Sequence, residues 1–585
     1  MMKKKHNIIG RFILEHKISY VVGIGFMFLA SYITTRFPKV LGNTIDIMRE
    51  DGFKSQEVMK NVLVIVAIAL GAFCCTYAWR NLVIRNARKL ECYLREVLFT
   101  HFQKMSPEFY NKKKSGDLIV YAINDLNAVR MMFGPATAMT INGIAICTAS
   151  IYAMTQNIDF RLAIICLAPI PVIVIILLKL GATIRRRFKK VQETFGSISD
   201  RVQENINGIR VIKAYVQEDE EVEKFEELNE EMMKCNMDMV RISSMLTPVM
   251  EICFSVSFAF NLIIGGNLVL KGTITLGDFT AFNTYLTMIM TPIISIGRIV
   301  NVVQRGMASY KRLDEIFKVE PDITDGISMI NKEIHGEVEI QNLSFTYEGT
   351  DEPALKNIDI KIPKGHTLGV IGKTGSGKTT LASLLMKLYN VENNKILIDG
   401  IDINDYTLDA LRTGISYVPQ DNFLFSASIF ENIRFFKEEY SMEMVEEAAK
   451  ISCVYDNIIN FPQSFDTVLG ERGVNLSGGQ KQRISISRSV VKNPAILILD
   501  DALSAVDTIT EGNILKNFKE IRNNKSAIII AHKVSSVKHA DEIVVLDRGE
   551  ICERGTHEEL ISKRGLYYEI YTEQNKDNQS EFKAS

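Results

Sequence analysis

The sequence predicts a multidomain chain: an all-α domain of six membrane-crossing helices, followed by an α/β domain built on a phosphate-binding loop. Three observations lead there. The 585 residues exceed what one hydrophobic core can serve. Charge-free apolar runs recur through roughly the first 300 positions and then cease. A single glycine-rich GxxxxGKT run is framed by a strand pattern and a helix pattern.

Whole-chain composition conceals this division. With 47% hydrophobic residues, 23% charged residues and a net charge of -1, nothing implies a bulk polyanion partner such as nucleic acid. The nine cysteines are scattered without a CxxC pair or metal-ligand spacing, so reduced thiols are expected. Lys3, Lys4 and Lys5 look like the charged end of a signal peptide, yet no small-residue cleavage site follows the first apolar run and further runs come after it. The start is therefore expected to be retained.

A helix needs about 20 mostly apolar residues to cross a bilayer. Such runs place six spans at about residues 18–35, 60–80, 131–158, 160–182, 243–270 and 277–300, within a membrane domain of residues 1–305. That many fully apolar faces cannot be buried in a soluble domain. Lys and Arg loads set the orientation. Arg80, Arg85, Arg88, Lys89 and Arg95 follow span two and Arg185, Arg186, Arg187, Lys189 and Lys190 follow span four, against Arg161 and Lys271 in the opposite loops. Both termini and the second domain are then expected in the cytoplasm of a multi-pass plasma-membrane protein.

The connections at about residues 80–130 and 179–241 are long and charged, with Val191, Phe195, Ile198, Val202 and Ile206 at helical spacing. Helices extended into the cytoplasm are expected, with tips near residues 106–116 and 208–217. Glu251 lies inside an apolar run, where a carboxylate needs a cavity or a partner; contact with substrate and a helix-interface role both remain open. Asn142, Asn261 and Asn283 read as polar glue between helices more than as a pathway. Met288, Met290, Phe282 and Ile289 are candidate walls of an apolar substrate cavity that would suit lipids, drugs and apolar peptides alike.

In the second domain a strand pattern at residues 366–371 leads into Gly372-Lys373-Thr374-Gly375-Ser376-Gly377-Lys378-Thr379-Thr380, with a helix expected at 381–388. Glycines let backbone N–H groups close around phosphates, Lys378 supplies a point charge and Thr379 offers an oxygen to Mg²⁺. A short apolar strand at 495–499 ends at Asp500, placed to hold Mg²⁺ through water. Tyr347 is a candidate for stacking on adenine. Leu476-Ser477-Gly478-Gly479-Gln480 precedes a helix and makes a second anion site, which suits another subunit's ATP because the first loop already provides one here.

With these motifs in place the chain resembles the ATP-binding cassette exporters, over about residues 10–572. Residues 372–379 look like the Walker A loop, Tyr347 like the adenine-stacking aromatic, Gln420 in Tyr417-Val418-Pro419-Gln420 like the Q-loop, and residues 476–480 like the family signature. Asp500 matches the Walker B aspartate, Ser504-Ala505-Val506-Asp507 the D-loop and His532 the switch histidine. Gly470-Glu471-Arg472-Gly473 and Asn207-Gly208-Ile209-Arg210 look like the elements that join cassette to membrane domain. The resemblance implies an ATP-binding domain at 337–573 after a linker at 306–336, a polar tail at 574–585, ATP and Mg²⁺ as cofactors, and Thr379, Gln420 and Asp500 as metal-holding residues. It also implies two cassettes closing head to tail, each ATP held between one chain's Walker loop and the other chain's signature, with hydrolysis resetting the pump.

One position departs from the family. Glu usually follows the Walker B aspartate and polarises the attacking water, whereas here the residue is Asp501. One methylene less withdraws the carboxylate by more than an ångström, against a working range of about 2.6–3.2 Å for a base. Slow hydrolysis at this chain's own site is expected, with Asp501, His532 and Gln420 as its catalytic residues. Beside the intact signature this resembles the degenerate-site half of bacterial heterodimeric multidrug exporters, so a second half-transporter is the expected partner, alongside the lipid bilayer and a hydrophobic small-molecule, lipid or peptide substrate. A homodimer with two slow sites, a peptide or lipid exporter and an importer of the same fold remain open.

Overall fold

Apolar runs too long for a soluble core and a run of short buried strands ask for different surroundings, and the chain divides accordingly. The computed structural model describes residues 8–50, 55–113, 115–325, 330–470, 473–521 and 524–584. Two compact units form: Met1–Gln103 with Lys114–Val319, and Lys104–Lys113 with Glu320–Ser585.

The first unit is all helical. Among the described residues six helical stretches are long and apolar enough to cross a membrane: Lys17–Arg49, Ser55–Gln103, Gly116–Gln156, Phe160–Asn207, Glu218–Leu270 and Leu276–Phe317. The second is one unbroken helix of 49 residues. At about 1.5 Å per residue it is more than twice the roughly 30 Å of a hydrocarbon core, so it continues outside the bilayer, as the charged connections predicted. The last helix runs to Phe317, so the stretch expected to begin a linker at residue 306 is still helix there. Gly306, Ser309, Leu313 and Ile316 present a buried stripe at helical spacing that keeps it packed.

Polar pairs join these helices. Asn261 Nδ2 donates to Asn283 Oδ1 at 2.7 Å, and Ser31 Oγ donates to Asn142 Oδ1 at 3.4 Å, the gluing role read from the sequence. Asp125, 2% exposed, accepts from Ser309 Oγ at 2.7 Å and from Arg312 Nε at 3.1 Å. The expected cavity walls separate: Phe282 and Ile289 are core residues at 0% and 2% exposure, Met288 packs against that core, and Met290 lines a cavity of about 380 Å³. Their helical phases differ, and adjacent positions cannot share a face.

The second unit holds two sheets. A four-stranded antiparallel sheet has the order β2-β1-β4-β5, from β1 (Val338–Phe345), β2 (Leu355–Ile362), β4 (Ile396–Ile398) and β5 (Ile401–Asp402). A six-stranded sheet has the order β10-β9-β3-β8-β7-β6, from β3 (Thr367–Gly372), β6 (Ile415–Val418), β7 (Ile496–Asp500), β8 (Ser526–Ala531), β9 (Glu542–Asp547) and β10 (Glu550–Gly555). Every residue of β7 and β8 is buried, the signature of parallel strands covered on both faces. The short helix Pro107–Lys112 belongs to this unit: Asn111 Nδ2 donates to Tyr389 Oη at 3.2 Å and Lys112 Nζ to Glu348 Oε2 at 2.7 Å. The other tip, helix Ile209–Tyr215, belongs to the first unit and leaves Tyr215 72% exposed. The expected polar tail from residue 574 continues the helix Leu566–Ala584.

Candidate functional site

The strands β3, β8, β7 and β6 are neighbours in that order and all parallel. Their carboxyl ends therefore share one edge of the sheet, where open α/β sheets place their ligands. The glycine-rich loop leaves β3, Asp500 closes β7, His532 follows β8 and Gln420 follows β6. Four segments far apart in sequence meet because their strands run the same way.

The loop turns straight into the helix Lys378–Leu385, three residues earlier than the sequence suggested. Its cap is Gly377, at φ +99° with an added Cβ only 2.6 Å from the Ala354 carbonyl. No other residue could make that turn without strain, and it brings Lys378 inward, onto the helix.

A cavity of about 320 Å³ lies at this edge, lined by residues 374–380 with Tyr347, Ala354, Gln420, Asp500, Asp501 and His532. Gly372 and Lys373 are not in the lining. Each instead gives a carbonyl to Lys378 Nζ at 2.8 Å. Burial pushes the Lys378 amine below the ordinary lysine range, opposed by Asp500 and Asp501. Asp500, 1% exposed, has its carboxyl raised by burial, with hydrogen bonds from Thr379 and Tyr417 holding it back. Tyr417 donates to Asp500 Oδ2 at 3.1 Å. Tyr347 is half-buried, donates to Thr380 Oγ1 at 2.9 Å and meets Tyr389 edge-on at 5.2 Å between ring centroids.

Asp501 takes a left-handed backbone, φ +49°, a conformation that Asp tolerates better than most side chains. Its N–H donates to the Ile530 carbonyl at 2.8 Å, carrying the pairing one residue beyond β7.

The signature run stands elsewhere. None of residues 476–480 lines the cavity. Leu476 is buried as an anchor, while Ser477 and Gly478 are exposed at the start of the helix Gly478–Val490. Ser477 and Gln480 form a capping box: Gln480 N–H donates to Ser477 Oγ at 3.3 Å and Ser477 N–H to Gln480 Oε1 at 3.0 Å. Glu471 and Arg472 lie outside the described residues.

Sequence reasoning missed three supporting residues. Tyr417 stands in the sequence as part of a motif without a role of its own, and neither Ala354 nor Gln482 carries a motif signal. The buried amide of Gln482 donates to Ser504 Oγ at 3.0 Å and accepts from Ala505 N–H at 2.9 Å. Its one trace in the sequence is a second Gln two residues after Gln480.

Comparisons with known proteins agree with this arrangement. The family described as "ABC transporter transmembrane region" matches residues 20–293, and that described as "ABC transporter" matches residues 355–504. The "Probable multidrug resistance ABC transporter ATP-binding/permease protein YheI" of Bacillus subtilis (strain 168) is 37% identical, over 97% of this chain and 97% of its own. The "ATP-dependent lipid A-core flippase" of Syntrophus aciditrophicus (strain SB) is 33% identical, over 96% of this chain and 93% of its own. Among solved structures, a bacterial Atm1-family ABC exporter with ATP bound matches with a TM-score of 0.79 at 25% identity, over 96% of this chain and 99% of the other. The chain belongs to the ABC transporter family, in its exporter form with transmembrane region and ATPase fused, and is a multi-pass plasma-membrane protein that couples ATP hydrolysis to transport.

Proposed function

We propose that this chain is one half of a heterodimeric exporter of hydrophobic or amphipathic compounds, in which its own Walker site turns over slowly and its signature completes the partner's site. The asymmetry of this reading rests on Asp501 after Asp500, and its two-chain part is carried by the separation within the ATPase unit: the cavity gathers Lys378, Thr379, Gln420, Asp500, Asp501 and His532, whereas Ser477 and Gly478 stand exposed outside it. A ligand-binding run set outside its own chain's phosphate cavity suits the nucleotide of a second chain.

The donor set fits a magnesium-bound nucleoside triphosphate. It offers a buried amine, a loop of backbone N–H groups, a hydroxyl beside a buried carboxylate, and an aromatic ring. Within residues 337–573, Lys378 and the N–H groups of residues 373–380 would hold the phosphates, Thr379, Asp500 and Gln420 the Mg²⁺, and Tyr347 the adenine. The metal supplies charge neutralisation on the phosphates. Asp501 orients water from a carboxylate set back by one methylene, and His532 faces the same cavity from β8. The cytoplasmic side for the ATPase unit follows from the Lys and Arg loads.

The membrane unit supports an amphipathic substrate. One cavity of about 580 Å³ combines Phe28, Tyr32, Tyr152 and Tyr285 with Arg36 and Lys39. Another combines Phe254, Phe258 and Met290 with Asn283 and Thr287. Purification of this chain alone and beside a half-transporter carrying Glu after its Walker B aspartate tests the proposal. Turnover is expected only in the pair, with nucleotide retained on this chain; equal turnover by this chain alone would favour a homodimer.

A further inference from the structure

The loop after β8 is held from a distance. Gln574, in the helix Leu566–Ala584, donates from Nε2 to the His532 carbonyl at 2.7 Å. Its Oε1 accepts from the Val534 N–H at 2.9 Å. Together the two bonds settle the amide's orientation, since the reverse would set donor against donor and acceptor against acceptor. Val534 opens the short helix Val534–Val537, whose cap residue Lys533 makes no side-chain cap hydrogen bond. The Val534 N–H is thus one of the donors that a helix start leaves without an intrahelical acceptor, and Gln574 supplies that acceptor from 40 positions away.

What the amide fixes is the peptide on either side of Lys533. The Lys533 Nζ in turn donates to the Ser504 carbonyl at 3.0 Å, joining the held loop to the segment after Asp501. Because β8 lies between β3 and β7, His532 leaves the sheet between the strand that feeds Lys378 and the strand that ends at Asp500. A displaced His532 therefore disturbs what sits between the loop and that carboxylate, not what sits against Tyr347.

We propose that Gln574 is a positioning residue for His532: its side-chain amide, reaching from the C-terminal helix, aims the histidine at the terminal phosphate of the nucleotide. This inference rests on the nucleotide-site reading above. It follows that Gln574 governs the discrimination of ATP from ADP while leaving binding of the shared part of the ligand alone.

The experiment measures Mg-ATP and Mg-ADP affinity on the full-length chain in detergent, with melting temperature recorded for each variant. Gln574→Met retains side-chain volume without hydrogen bonds, and Gln574→Glu retains the acceptor but turns a carboxylate oxygen toward the His532 carbonyl. Loss of the bond to the His532 carbonyl, common to both variants, is expected to weaken ATP by about tenfold, with ADP affinity unchanged. Wild-type ATP affinity in Gln574→Met would reduce the role to packing, and parallel weakening of ATP and ADP would make it a general support of the fold; either result overturns the proposal. Lys378→Ala is the control for the underlying reading. If it leaves ATP affinity intact, the nucleotide site itself is misplaced; if it weakens ATP while the Gln574 variants do not, only this inference fails.

Discussion

The side-chain amide of Gln482 donates to the backbone carbonyl of Asp501 at 3.3 Å. Gln482 lies in the first turns of the helix that Ser477 caps, so the start of that helix and Asp501 are held as one piece. Gly479 permits the approach, because a Cβ there would stand 2.8 Å from the Ala505 carbonyl. Residues that serve two different ATP molecules in the proposed dimer are thus linked within one chain.

If this chain's own site is the slow one, damage to its carboxylate matters little. Asp501→Ala is expected to leave most steady-state ATPase of the assembled pair, whereas Ser477→Ala or Gly478→Asp lowers it by about 10²–10³-fold, the effect of losing a placed donor at developing charge. Phosphate release by the purified pair measures both. Equal losses would give this chain a working site of its own.

Asp501→Glu advances the carboxylate by about 1.5 Å, one C–C bond length. Turnover of the pair is expected to rise, or its two sites to become more alike. The left-handed backbone at φ +49° suits Glu less well than Asp, so a modest fall in melting temperature should accompany the gain. No gain in turnover would locate the limitation outside this side chain.

Lys378 is buried against its own loop, so its charge is committed to this cavity. Lys378→Ala should abolish nucleotide photolabelling of this chain while the partner chain still labels. Loss of labelling on both chains would count against two separately binding sites.

Glu251 is exposed on the helix Leu246–Phe260, lines a groove of about 480 Å³ with Ser255 and apolar neighbours, and makes no ion pair among the described residues. A carboxylate facing hydrocarbon would be costly, so the groove must hold water, substrate or a partner. Glu251→Gln is expected to reduce substrate-stimulated ATPase more than basal ATPase in proteoliposomes. Equal reductions would make the residue structural.

Asp125 is buried and held by Ser309 and Arg312, whose guanidinium is half exposed. Arg312→Ala leaves that carboxylate without its cation and should destabilise the membrane unit by about 1–3 kcal/mol, less than for a fully buried pair. Thermal melting in detergent reads this, and Asp125→Leu combined with Arg312→Leu should recover much of the loss.

Legibility followed the range of the interactions. The six spans were readable because each is a local run of apolar residues, and the phosphate loop because its glycines, Lys378 and Thr379 act within one turn. At Phe282 and Ile289 the expected cavity walls are core residues, since a run apolar on every face does not reveal which face meets another helix. Extended helices were foreseen from charge and spacing, but the end of the last one at Phe317 depends on the buried stripe through Ser309 and Ile316, which requires neighbours.

The division into membrane and ATPase parts, the order of strand, loop and helix around Lys378, and the Asp500-Asp501 pair are legible along the chain, because each is a matter of composition or of residues a few positions apart. Which residues stand together depends on the packing of the whole ATPase unit. Parallel strands brought Gln420, Asp500 and His532 to the edge where the loop lies, Gln482 and Gln574 were assigned partners 19 and 42 positions away, and Ser477 was set apart from its own chain's phosphate loop. Such hydrogen bonds leave no periodic trace along the chain, since a polar side chain finds its partner only after strand order and helix packing have fixed where both backbones run.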